Sequence, residues 1–268
     1  MKTTLTWRQL IPISVTLLAM LCGFFSILMT LESMGEPLEK AGEMHRWAAL
    51  LIMLAMILDG IDGNIARRLK GCTEMGAELD TYVDMTAFGI APAILIYAVM
   101  LTGSIPQDTS RALWRVVMTS AVVLSGVVRL ARFKAGDPFR GQMGYTGLPI
   151  TACAGWVAML VFISQSKPFN TFSLSQGPVA ALFLIGVLAF IYLQVSNVRY
   201  PKPTKHPALF IPMVIMVCVL FGPQRVAVPA AVFMVLMVLG YIVFGPLYMR
   251  HAIRRAKGAP CEPEESES

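Results

Sequence analysis

Long apolar runs, separated by short polar stretches, fill almost the whole chain. They lie at roughly 10–32, 46–68, 77–102, 111–133, 146–165, 178–197, 206–222 and 226–249. Runs of this length predict helices that cross a bilayer. In lipid a spanning segment must satisfy its own backbone polar groups, which a helix does. The predicted fold class is therefore all-α: a polytopic membrane bundle of about eight transmembrane helices. The first run is too long for a cleaved leader and no small-x-small site follows it closely, so it reads as a retained helix. No internal repeat is visible. Residues 1–257 are expected to form a single transmembrane domain. The remainder, 258–268, reads GAPCEPEESES; it is short and polar, and is expected to be a disordered cytoplasmic tail.

Composition agrees with the pattern. Of 268 residues, 56% are hydrophobic and only 14% charged, where a soluble domain would carry far more charge. Mean hydropathy is +0.66. The net charge of +6 would suit a nucleic-acid partner, but the basic residues lie between the apolar runs. Orientation in the membrane is the better reading, and no nucleic-acid partner is expected. With the N-terminus in the cytoplasm, sixteen of the 22 basic residues fall on the inner side. The six on the outer side are Lys40, Arg46, Arg111, Arg115, Lys167 and Arg225. This asymmetry puts both termini inside and favours an even number of spans. Cys22, Cys72, Cys153, Cys218 and Cys261 show no metal-ligand spacing and read as small hydrophobes. His45, His206 and His251 fall at span edges.

Residues 58–84 break this regularity. LDGIDGNIARRLKGCTEMGAELDTYVD holds Asp59, Asp62, Asp80 and Asp84, and carboxylates at membrane depth are costly. Asp59, Asp62 and Ala66 share one helical face at the end of the second span; Gly76, Asp80 and Asp84 share another at the start of the third. A short connection over 68–75 makes the two helices an antiparallel pair, so the acidic faces can meet. Four carboxylates together drive one another to protonate unless cations intervene, and oxygen ligands of this kind suit Mg²⁺ or Mn²⁺, with Ca²⁺ also admitted. Gly63 and Gly76 leave room for a ligand, and Arg67 offers a planar donor fork to a phosphate. The set describes a diphosphate site. Isolated intramembrane acids can also serve ion paths or proton relays, and a transporter with an acidic cation site stays open at this level.

The same residues spell D-x2-D-G-x2-A-R-x8-G-x3-D-x3-D without exception: Asp59, Asp62, Gly63, Ala66, Arg67, Gly76, Asp80, Asp84. This resembles the signature of the CDP-alcohol phosphotransferases, integral membrane enzymes of phospholipid synthesis. Further stretches are similar to the bacterial branch that transfers to serine: IPISVTLLAMLCGFFSI at 11–27, FGIAPAILIY at 88–97, RLARFKAG at 129–136, GLPITA at 147–152 and NVRYPKP at 197–203. Three positions depart from that branch. Ile13 stands where it usually has asparagine, and Tyr82 and Ala87 interrupt its pattern around the last aspartate.

The resemblance implies a reaction and its parts. The phosphatidyl group of CDP-diacylglycerol passes to the hydroxyl of L-serine, giving phosphatidylserine and CMP. Asp59, Asp62, Asp80 and Asp84 hold the divalent cation. Asp59, Gly63, Ala66, Arg67 and Gly76 bind the nucleotide, and Asp84 is the general base. For the acceptor's carboxylate, Arg129, Arg132 and Lys134 are the candidate cations, although positive-inside anchoring explains them equally. Another acceptor alcohol, glycerol 3-phosphate or an inositol phosphate, would leave the chemistry unchanged. Implied partners are membrane lipid and a second copy of the chain in a homodimer. The implied location is the bacterial inner membrane, with the site facing the cytoplasm.

Overall fold

The computed structural model describes residues 6–101, 109–136, 145–167, 174, 176–201 and 207–258. Their helices are α1 (Trp7–Ser33), α2 (Leu38–Leu69), α3 (Glu74–Val83), α4 (Ala91–Leu101), α5 (Thr109–Gly136), α6 (Ile150–Ser164), α7 (Gly177–Val195), α8 (Pro207–Leu220) and α9 (Gln224–Gly258). A π-helical segment, Asp84–Ile90, joins α3 to α4, so that Glu74–Leu101 runs as one rod. Among the described residues there are thus eight helical rods, at the eight expected places. Six are long and apolar enough to cross a membrane, and α6 is a shorter apolar helix. Two two-residue strands, β1 (Tyr145–Thr146) and β2 (Arg199–Tyr200), pair antiparallel. Most of the expected tail, 259–268, lies outside the described residues, as do Lys202, Lys205, His206 and Cys261.

Burial shows how an all-apolar bundle keeps its order. Ile52, Met53, Leu95, Ile96, Val157 and Phe162 are fully buried where α2, α4 and α6 meet. Leu17, Leu21, Phe24 and Leu28 on α1, and Leu236 and Phe244 on α9, are exposed. In a bilayer such a surface faces lipid, which is as apolar as leucine, so small residues rather than large ones hold the helices together. The longest interface, α1 on α2, follows this rule. It uses Ala19, Ser26 and Thr30 against Ala48 and Ala49, all buried, and Ser26 Oγ donates to the Ala48 carbonyl at 2.9 Å. Farther along, buried Ser33 and His45 are hydrogen-bonded at 2.8 Å.

Several boundaries differ from the hydropathy reading. α2 begins at Leu38 rather than 46, because LEKAGEMH carries good helix formers that an apolar window does not register. α9 runs on to Gly258 through basic residues, nine positions past the expected end. α6 starts at Ile150, four residues late, for a stereochemical reason. Gly147 holds a positive φ of 78° with its backbone against the Gln194 carbonyl; Gly147 N donates to Val198 O at 2.8 Å and Leu148 N to Leu193 O at 3.1 Å. The chain is thereby pinned to the end of α7 before Pro149 admits a helix.

Candidate active site

The turn between α2 and α3 decides where the acidic faces lie. α2 stops at Lys70, which takes the left-handed conformation (φ 52°, ψ 37°), and Gly71 N returns to the Ala66 carbonyl at 2.9 Å. This is the usual device for ending a helix, here with lysine in the place that glycine favours. Three residues on, Thr73 caps α3 by accepting from Gly76 N at 2.9 Å. The reversal takes four residues, 70–73, and sets the ends of α2 and α3 side by side.

Three of the four aspartates converge there. Oxygens of Asp59, Asp62 and Asp80 all lie within 4.8 Å of one another. Asp62 is buried, Asp59 half-buried and Asp80 exposed. The Asp59 and Asp80 carboxyls are near enough to share a proton, or to be bridged by a cation in its place. An all-oxygen donor set of this charge fits a divalent cation. Asp84 is not part of the trio. It opens the π-helical segment one turn beyond Asp80, half-buried, and interacts electrostatically with Asp80, Asp62 and the Arg129 guanidinium of α5. π-Helical turns recur at functional sites.

Beside the trio is a cavity of about 180 Å³. One wall is α1, through Pro12, Ile13 and Thr16; Gly63, Ala66 and Arg67 form the second, Gly76, Ala77 and Asp80 the third. Gly63 and Gly76 both line the cavity. Arg67 is exposed at the rim, and its Nη2 donates to Asn64 Oδ1 at 3.0 Å. Six of the eight motif positions, all but Asp59 and Asp84, line this cavity.

The three candidate acceptor cations separate sharply. Only Arg129, half-buried, acts on Asp84. Arg132 is spent on the end of α7: Nη1 donates to the Val195 carbonyl and Nη2 to Asn197 Oδ1 at 2.6 Å. Lys134 Nζ lies 2.5 Å from Glu78 Oε2, tying α5 to α3. Two further participants carried no signal in the motif. Asn64 orients Arg67, and Thr16 of α1 donates a hydrogen bond to Asp62. A threonine one turn after a proline, on the first span, is the trace that would have exposed the second.

The chain as a whole is similar to known proteins. A family model described as CDP-alcohol phosphatidyltransferase matches residues 9–193. A Helicobacter pylori protein named CDP-diacylglycerol–serine O-phosphatidyltransferase is 30% identical over 201 residues, covering 74% of this chain and 77% of the relative. Proteins of the same name from Mycobacterium leprae and Bacillus subtilis are 36% identical over 167 residues and 28% identical over 198 residues. The former match covers 60% of this chain and 49% of the relative. The latter covers 74% and 93%.

Proposed function

Since the chain belongs to the CDP-alcohol phosphatidyltransferase family, we propose that it transfers the phosphatidyl group of CDP-diacylglycerol to the hydroxyl of L-serine and releases CMP. The observation that carries this reading is the carboxylate trio beside a glycine-lined cavity with an arginine at its rim. The acceptor is drawn from the names of the relatives.

Asp59, Asp62 and Asp80 would hold the divalent cation, Mg²⁺ or Mn²⁺, with Asp84 completing the acidic set. When bound, the cation neutralises the diphosphate oxygens and stabilises departing CMP. Arg67, steadied by Asn64, meets the diphosphate from the rim. Gly63, Ala66 and Gly76 leave the space that the nucleotide occupies. The serine hydroxyl gives its proton to the Asp84 carboxylate as its oxygen attacks the β-phosphorus, the one bearing diacylglycerol. The new O–P bond forms as the bond to CMP breaks. Arg129, opposite Asp84, is suited to the serine carboxylate, so the two side chains would grip the acceptor at both ends. An acceptor with its own phosphate would call on more cations, and Arg132 and Lys134 are already paired with Asn197 and Glu78. That favours serine over glycerol 3-phosphate or an inositol phosphate. A cation transporter finds no support in this family.

The trio lies at the end of the bundle that the charge asymmetry assigns to the cytoplasm. We place the site at the cytoplasmic face of the bacterial inner membrane, with both termini inside, in a homodimer. The test is CMP release from CDP-diacylglycerol by purified protein in detergent, with Mg²⁺ or Mn²⁺ and a panel of alcohols. Release dependent on L-serine and matched by phosphatidylserine is the expected result. Release with a different alcohol alone would reassign the acceptor.

A further inference from the structure

The first helix reaches the acidic cluster at a point that the motif does not cover. Thr16 and Asp62 are each 5% exposed, and Thr16 Oγ1 donates to Asp62 Oδ2 across two helices and 46 positions of sequence. The same hydroxyl lies 3.0 Å from the Pro12 carbonyl one turn back. It has a single proton, and a carboxylate is the stronger of the two acceptors. Asp62 is the most buried of the three clustered aspartates.

The backbone explains how α1 comes so close. Pro12 sits inside the helix and has no N–H, which frees the Arg8 carbonyl from its normal partner. Gly71 backs directly onto that carbonyl, where a Cβ would stand only 2.2 Å from the Arg8 oxygen. The proline-relieved turn of α1 therefore seats against the α2–α3 turn, and Thr16, one helical turn deeper, faces Asp62. Both residues border the cavity.

We infer that Thr16 is a positioning residue for the cation centre. Its hydroxyl holds one oxygen of Asp62, so the carboxylate cannot rotate away from Asp59 and Asp80. Hydrogen bonds behind a liganding carboxylate set its orientation, and their removal weakens metal binding. This rests on the cation-dependent reading above. It adds to that reading a residue outside the signature and a role for the first helix.

The test follows Mn²⁺ binding to the purified protein in detergent without lipid substrate, reading free Mn²⁺ by electron paramagnetic resonance. Thr16→Val keeps the shape and removes the hydroxyl; its Mn²⁺ dissociation constant is expected to rise ~10-fold or more. Thr16→Ser is expected to restore binding to near the wild-type value, and Thr16→Ala serves as the hydroxyl-free variant should valine disturb the bundle. Melting midpoints taken without Mn²⁺ separate loss of fold from loss of affinity. A folded Thr16→Val or Thr16→Ala protein with wild-type affinity would overturn the inference, as would equal weakening in the serine variant. If the wild-type protein itself binds no Mn²⁺, the cation reading fails, and this inference with it.

Discussion

Asp84 and Arg129 stand beside the carboxylate trio rather than within it, and that difference gives each a distinct expected phenotype. Asp84→Asn keeps the trio of Asp59, Asp62 and Asp80 intact. Turnover should fall by ~10²-fold or more, the usual worth of a positioned base, while calorimetric binding of CMP with Mn²⁺ is retained. Retained turnover would remove Asp84 as the base. Arg129→Ala should raise KM for serine more than KM for CDP-diacylglycerol. Arg132→Ala should instead lower the melting midpoint, because it unties α5 from Val195 and Asn197; a selective rise in serine KM there would contradict the division of roles. The aspartates were legible in the sequence because helical spacing alone puts them on two facing surfaces. The division among Arg129, Arg132 and Lys134 was not. Their spacing is consistent with any of the roles, and only the partners contributed by α7, Asn197 and Glu78 distinguish them. Thr16 and Asn64 were hidden for a related reason, since one hydroxyl among several on α1, or one amide inside a charged motif, gains meaning only from what it touches.

Helix and turn geometry was legible in outline and not at the joints. Apolar run length located every rod, because lipid imposes that length. The π-helical segment over Asp84–Ile90 leaves no periodicity to read, since a single widened turn does not establish a repeat. The joint at Gly147 depends on a positive φ and on carbonyls contributed by α7, neither of which is local. Gly147→Ala should therefore destabilise the protein by roughly 1–2 kcal/mol from backbone strain alone, and further from contact with the Gln194 carbonyl. A depressed melting midpoint in detergent checks this. The Lys134–Glu78 pair has side chains 41% and 58% exposed, and exposed pairs contribute little. Lys134→Ala should leave the midpoint almost unchanged, and a large drop would show that this ion pair clamps α3 to α5.

For the molecule as a whole, function comes from bringing three helix ends together at one face. α1 lends Thr16 and a wall, α2 and α3 lend the carboxylates, and the rest of the bundle holds α5 where Arg129 meets Asp84. The orientation proposed from the charge asymmetry puts that face in the cytoplasm. Cys72, exposed in the α2–α3 turn, reports on it. In a variant retaining Cys72 as its sole cysteine, a membrane-impermeant maleimide should label inverted vesicles and spare right-side-out ones; the reverse pattern would invert the topology. The central claim is that Asp59, Asp62 and Asp80 gather a divalent cation onto the diphosphate of a nucleotide-lipid. Anomalous diffraction from crystals grown with Mn²⁺ and CDP-diacylglycerol tests it most directly. The account predicts a manganese peak bonded to oxygens of that trio and of the diphosphate; diphosphate seated away from these carboxylates, with no metal among them, would contradict it.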